Sequence, residues 1–271
     1  MPIYQAVLLA LVQGITEFLP VSSSAHLALA PWLLGWQDQG LAFDIALHFG
    51  TLLAILIYFM RDWLQIFAQA FGVSFSPDPE LRLNRSLLWL IVIATIPVGA
   101  AGLALEHVVE SSVRTHPVVI GIMLVSVGLL MLYADRISRT DRGIGTIKLT
   151  DALAIGGAQA LAIIPGTSRS GITITAALFR NLDRASAARF SFLLSTPAIA
   201  AAALKSFYDL YKAGGIPPEL RTQVFTGVTV SAAVGCVVIA FFLRFLRSNT
   251  FRVFIWYRIA FGIIVIALAL R

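Results

Sequence analysis

Six stretches of this chain run for close to twenty residues with almost no charge: 42–60, 87–105, 117–134, 186–204, 222–243 and 253–270. About 20 apolar residues in a helix cross the roughly 30 Å of hydrocarbon in a bilayer. The runs are continuous rather than alternating, which argues against membrane-spanning strands. Charged residues make up 13% of the chain, about half the usual share in soluble domains, and the mean hydropathy is +0.86. The chain is therefore expected to be an all-α polytopic membrane protein forming one integral membrane domain over 1–271. Its net charge of +6 fits Lys and Arg in loops facing anionic head groups. Membrane lipids are thus the implied partners, and no nucleic-acid motif is present. The first apolar run has no Lys or Arg before it and contains Glu17, unlike a secretory signal, and is expected to be retained. Cys236, in an apolar run, reads as core packing.

Two further apolar segments, 3–35 and 151–183, are poor single spans. Each is broken near its middle by proline, glycine and hydroxyl residues. Each is expected to form two half-helices in a re-entrant hairpin, because irregular backbone at membrane depth is tolerated where protein or a wet cavity surrounds it. The segments also align. Pro20 and Pro165, Ser23 and Ser168, and Gly50-Thr51 and Ser195-Thr196 all stand 145 apart, while Gln13 and Gln159 stand 146 apart. This gives two repeat halves, 1–134 and 151–271.

Charge orients the halves. Loops near 61–85, 135–150 and 244–252, with the ends of the second hairpin, hold most of the Lys and Arg. The opposite side holds Arg114, Lys205, Lys212, Arg221 and Arg271. By the positive-inside rule the first side is cytoplasmic and both termini lie outside. One hairpin then enters from each side. The expected fold is six transmembrane helices plus two re-entrant hairpins in an inverted-topology repeat.

The breaks carry the chemistry, since ionisable groups inside a membrane are costly and mark functional sites. The first reads Glu17-Phe18-Leu19-Pro20-Val21-Ser22-Ser23-Ser24-Ala25-His26. Gln13 and Glu17 share a helix face at i,i+4. They form either an oxygen site for Mg²⁺ or Ca²⁺ or a polar pair between helices. Ser22, Ser23 and Ser24 stand where a second half-helix begins. They either cap it or supply a nucleophile, for which His26 is the nearby base, or His26 attacks itself. The second break reads Pro165-Gly166-Thr167-Ser168-Arg169-Ser170-Gly171. It has the character of an anion cradle: glycines allow close approach, and a helix over 171–180 aims its N–H groups at the anion. Arg169 supplies a bidentate fork, and Thr173 adds a hydroxyl. The alternative is a cap with Arg169 paired to Glu17. His48 reads as a packed histidine, His107 and His116 as solvated, and Arg258 as snorkelling to head groups. Carboxylate, hydroxyls, histidine and an arginine cradle together suit phosphoryl transfer on a substrate with an apolar tail. The competing reading is a secondary transporter or flippase for a prenyl phosphate, since inverted repeats with broken helices are also transporter architecture.

These motifs, Gln13-x-x-x-Glu17 with Pro20-Val21-Ser22-Ser23 and His26, and Pro165 through Thr173, resemble those of the undecaprenyl-diphosphate phosphatase, or bacitracin-resistance protein, family. Phe190 to Leu194 and Tyr257-Arg258 extend the likeness across the chain. The resemblance implies a bacterial enzyme of the cytoplasmic membrane. It would hydrolyse undecaprenyl diphosphate to undecaprenyl phosphate and phosphate, recycle the lipid carrier for peptidoglycan synthesis and confer bacitracin resistance. It further implies a Mg²⁺ or Ca²⁺ requirement and a site opening to the outer face. Glu17, Ser23, His26 and Arg169 would form the site's core. Gln13, Ser22, Ser24, Gly166, Ser168, Ser170 and Thr173 would support it, with Gln13 standing where many members have Glu. The sequence leaves open the nucleophile, the metal, the isoprenoid length and the oligomeric state, a homodimer included.

Overall fold

A computed structural model describes residues 1–108, 116–212 and 215–271. Arg114 and the His107 side chain lie outside the described residues. The described fold is helical throughout: α1 Ile3–Thr16, α2 Ser23–Leu34, α3 Leu41–Tyr58, α4 Met60–Ala70, α5 Pro79–Arg82, α6 Leu87–Val108, α7 Pro117–Ile137, α8 Leu149–Ala160, α9 Arg169–Phe179, α10 Arg184–Lys212, α11 Arg221–Leu246 and α12 Arg252–Ala269. Among the described residues, five helices are long and apolar enough to cross a membrane. A sixth appears if α3 and α4, bent by 70° at Phe59, count as one.

Small residues set the packing. In membrane bundles, close backbone approach replaces the hydrophobic driving force between helices. A methyl group at Gly14 of α1 would meet Val234 of α11, one at Gly50 of α3 would meet Ser231 and the Val228 carbonyl, and one at Gly235 of α11 would meet Ala54 and Phe18. α11 therefore lies in the angle between α1 and α3. In the same way, α12 seats on α7 through Gly121 and Gly262, and α8 on α6 through Gly156 against Ala94.

One expectation changes. The stretch 61–85 was expected to be a loop, yet α4 and α5 occupy much of it. Gln65 of α4 holds both the N–H and the carbonyl of Asp78, and Arg189 of α10 pairs with Asp62 at 2.6 Å and Asp78 at 2.8 Å. Burial alone would raise the Asp78 carboxyl, but the Arg189 hydrogen bond and charge hold it below the ordinary range. Nearby, Asp151 at the start of α8 receives Arg142 and Arg180, each at 2.6 Å, and Asp135 receives Arg184 at 2.7 Å. The cationic loops are thus bound to one another by carboxylates.

Candidate active site

The two interrupted segments, α1–α2 and α8–α9, have the same local construction. At the first, Ser22 sits at φ 75°, ψ 90° and caps α2, its hydroxyl accepting from the Ala25 N–H at 3.4 Å. At the second, Ser168 sits at φ 69°, ψ 115° and caps α9, accepting from the Gly171 N–H at 3.1 Å. Each cap hydroxyl also bonds the serine two residues on, Ser24 at 3.2 Å and Ser170 at 3.3 Å. The register is therefore 146, because 168 − 22 and 170 − 24 both give 146. This corrects the 145 suggested by the prolines. Two residues rather than one stand between proline and cap at the second break, and Gly166, at φ 92°, is the extra one. A side chain there would run into the Ile120 carbonyl. Serine at positive φ is strained, and both caps lie at the point where a half-helix restarts. The equivalent first residues of α2 and α9 are thus Ser23 and Arg169.

Both reach the same carboxylate. Ser23 Oγ donates to Glu17 Oε2 at 2.5 Å, and Arg169 Nη2 donates to Glu17 Oε1 at 2.9 Å. Gln13 Nε2 donates to Glu17 Oε2 at 3.1 Å and to Thr51 Oγ1 of α3 at 3.4 Å. His48 of α3 gives its Nδ1–H to the Asp44 carbonyl at 2.7 Å, which leaves Nε2 3.5 Å from Glu17 Oε2. Ser170 Oγ ties the second break to the first by donating to the carbonyls of Glu17 and Leu19, both at 3.2 Å. A cavity of about 740 Å³ opens over this cluster. Its lining is mostly apolar, with Val98, Gly99 and Gly102 of α6 and Ala198, Ala201 and Ala202 of α10 contributing, and its polar lining is Glu17, Ser23, Ser24, Asp44, His48, Thr95, Arg169 and Lys205.

The structure thus brings Gln13, Glu17, Ser23 and Arg169 together, with Ser24 on the same cavity. Ser22, Ser168 and Ser170 are buried and occupied as caps and ties, so what they offer an anion is a fixed backbone. Thr173 is buried too, bonding the Arg169 carbonyl at 2.8 Å and Ser191 Oγ at 2.6 Å. His26 is not placed on Ser23. Its Nδ1–H goes to the Ser22 carbonyl at 2.7 Å, its Nε2 accepts from Tyr257 at 2.8 Å, and its ring stacks on Phe261 with centroids 4.7 Å apart.

His48 joins the site although its sequence setting read as packing. The available signal was its place one turn from Thr51 on an otherwise apolar span. Arg258 reverses its expectation outright. It does not snorkel but is 0% exposed, donating to the carbonyls of Leu124, Pro20 and Gly166 at 3.1 Å and Thr167 at 3.0 Å. Four well-placed carbonyls in the bundle interior satisfy its donors better than the interface would.

A divalent cation fits the donor set. Among the described residues there is no cluster of three His, Cys, Asp or Glu side chains. However, among the described residues Gln13 Oε1 is buried without a hydrogen-bond partner, on the side chain whose Nε2 donates to the same Glu17 oxygen that accepts from Ser23. Such all-oxygen sets suit Mg²⁺ or Ca²⁺.

Fold and site together define an all-α membrane protein with an ion-paired, hydroxyl-bearing centre where two broken helices meet. The family model described as bacitracin resistance protein BacA matches residues 6–264, and the chain belongs to that family. Among its relatives, an undecaprenyl-diphosphatase of Trichlorobacter lovleyi is 47% identical over 268 residues, covering 99% of this chain and 97% of the relative. Proteins of the same name from Thermodesulfovibrio yellowstonii and Pelotomaculum thermopropionicum are 45% and 44% identical, covering 98% and 99% of this chain and 97% of each relative.

Proposed function

We propose that the chain is a membrane hydrolase that cleaves undecaprenyl diphosphate to undecaprenyl phosphate and phosphate. This activity returns the lipid carrier to peptidoglycan synthesis and confers bacitracin resistance. One observation carries the reading beyond the family: Ser23 donates a short hydrogen bond to a carboxylate whose other oxygen is held by Arg169, in the lining of a mostly apolar cavity. A nucleophile, its base and an anion ligand therefore share one centre.

Diphosphate approaching along the apolar walls takes Arg169 away from Glu17 Oε1, and the guanidinium forks onto the terminal phosphate. The N–H groups opening α9 face the same phosphate. Freed of Arg169, Glu17 is the stronger base. It accepts the Ser23 proton as Oγ bonds to the terminal phosphorus, and the bond from phosphorus to the bridging oxygen breaks. Undecaprenyl phosphate leaves with that oxygen. Glu17 passes the proton it took from Ser23 to the departing undecaprenyl phosphate and, an anion again, accepts a proton from water, whose oxygen displaces Ser23 Oγ; Oγ takes that proton back from Glu17 as phosphate departs. His26, occupied at both nitrogens, holds the turn at Ser22 rather than moving this proton. Glu17, Gln13 and Ser23 would hold the divalent cation, which when bound neutralises charge on the phosphoryl oxygens.

The same reading places the chain in the bacterial cytoplasmic membrane as an inverted repeat of two re-entrant hairpins and six spans. The matching caps at Ser22 and Ser168 support the repeat. The carboxylate-linked cationic loops support a single cytoplasmic side, with the cavity open to the outer face. The test is phosphate release from undecaprenyl diphosphate in detergent, with and without EDTA, for wild type, Ser23→Ala and Arg169→Ala. The expected result is cation-dependent release that falls by about 10³-fold or more in Ser23→Ala and about 10²–10³-fold in Arg169→Ala. Well-folded wild type that releases no phosphate would sink the hydrolase and leave prenyl phosphate transport as the leading reading.

A further inference from the structure

Among the described residues Arg258 is the largest side chain that is fully buried, and the mechanism above does not use it. An arginine at membrane depth is costly and normally pairs with an acid or reaches an interface. Here, among the described residues, its hydrogen-bond acceptors are backbone carbonyls. Its Nε binds Leu124 of α7, its Nη1 binds Pro20 in the first break, and its Nη2 binds Gly166 and Thr167 in the second. Four of the five donors of a guanidinium are thus spread over three segments. The path to this position is cleared by glycine. A methyl group at Gly171 would strike Arg258 Nη1, and one at Gly128 of α7 would press on its Cγ at 3.2 Å.

Three of these carbonyls, those of Pro20, Gly166 and Thr167, lie in the breaks where α1 and α8 are interrupted and regular helical partners end, while that of Leu124 lies within α7. Pro20 lies three residues before Ser23, and Thr167 two before Arg169. We infer that Arg258 is a positioning residue: one buried guanidinium ties the two helix breaks together and so fixes the separation of Ser23 and Arg169 across Glu17, without touching the substrate. The neighbouring Tyr257 acts in the same direction by holding His26, and through it the carbonyl of the strained Ser22. The last helix is thereby the clamp of a site whose chemistry lies wholly on other helices.

The inference rests on the hydrolase reading for its kinetic consequence but not for its structural one, so the two are measured separately. Lysine keeps the charge but offers donors from one point, which cannot span four carbonyls on three segments. In Arg258→Lys, hydrogen exchange of the amides in 19–26 and 164–171 should rise together, while that of α11 stays as in wild type. With undecaprenyl diphosphate, kcat should fall about 100-fold, the cost of a misplacement near 1 Å. KM should stay within about threefold, because binding groups are untouched. Gly171→Ala, which keeps Arg258 and pushes on it, should show the same selective fall in kcat. A rise in KM with kcat preserved would make Arg258 a substrate ligand and overturn the inference. So would wild-type exchange at either break in folded Arg258→Lys. Coupled exchange in a wild type that releases no phosphate would uphold the clamp and defeat only the hydrolase.

Discussion

Glu17 is stable as a buried anion only because its neighbours satisfy it. Arg169 takes one oxygen, and Ser23, Gln13 and His48 crowd the other. In the proposed reaction substrate binding exchanges one of these partners, and the basicity needed for Ser23 appears when Arg169 moves. That proposal puts proton transfer on Glu17, and His26→Gln tests it. The variant is expected to lose about 10- to 100-fold in kcat, since the Ser22 turn loosens, yet to keep the acidic limb of its pH–rate profile. Disappearance of that limb would return the base role to His26. Gln13 offers a second test. Its Oε1 is unpartnered and uncharged, so Gln13→Glu adds a carboxylate where a hard cation would sit. The half-saturating Mg²⁺ concentration in the phosphate-release assay should fall about tenfold, and an unchanged value would remove Gln13 from the cation site. At this scale the sequence was informative about identity and weaker about direction. Glu17, Ser23 and Arg169 stood out as polar groups in apolar segments. Whether a hydroxyl turns into a cavity or back onto a cap depends on φ at Ser22 and Ser168, which residue type does not encode.

Helices here do two different jobs with the same small residues. Gly50 of α3 is a contact: an added methyl would meet Ser231 and the backbone of Val228 in α11. Gly102 of α6 is an opening, since nothing lies within 4 Å of a Cβ placed there and the residue lines the cavity. Gly50→Ala is therefore expected to lower unfolding stability in detergent by about 1–3 kcal/mol through overpacking. Gly102→Ala should leave it unchanged or slightly raised, as glycine in a helix interior costs about 1 kcal/mol against alanine. Equal losses in thermal unfolding would refute the distinction. The apolar runs were legible because composition marks a span, and a helix covers each; among the described residues five of those helices are long and apolar enough to cross a membrane, and the run 42–60 counts only together with α4. Hidden from periodicity was α4, whose place depends on Asp62 and Asp78 meeting Arg189 from a helix more than a hundred residues later. Arg258 was misread for a related reason. Near the end of an apolar run, an arginine that snorkels and one that turns inward look alike until the carbonyls of two distant breaks are brought to it.

For the whole molecule, the decisive property is that one site draws on both interrupted segments. Ser23 and Glu17 come from the first broken segment and Arg169 from the second, and corresponding residues of the two half-helices, 146 apart, meet at one carboxylate. If the halves run in opposite directions, the two breaks approach mid-membrane from opposite faces, and neither half has a complete site alone. That arrangement predicts which loops face out. The ionic links through Asp62, Asp78, Asp135 and Asp151 join the cationic loops, and the positive-inside rule predicts that their side is cytoplasmic. The single cysteine, Cys236, can be replaced by serine to give a blank background. Single cysteines then go to four exposed positions: Gln37, between α2 and α3; Ser74, after α4; Glu219, before α11; and Ser248, before α12. In intact cells of an expression strain whose outer membrane admits the reagent, a membrane-impermeant maleimide should label Gln37→Cys and Glu219→Cys. Ser74→Cys and Ser248→Cys should react only after the cytoplasmic membrane is opened. Parallel halves would not give this pairing, because the α2–α3 connection and its counterpart after α9 would then react alike. Adding Asn181→Cys, at the turn that follows α9, completes the comparison. Labelling at Gln37→Cys but not at Asn181→Cys in intact cells is the signature of inversion, and equal labelling of the two would rule it out.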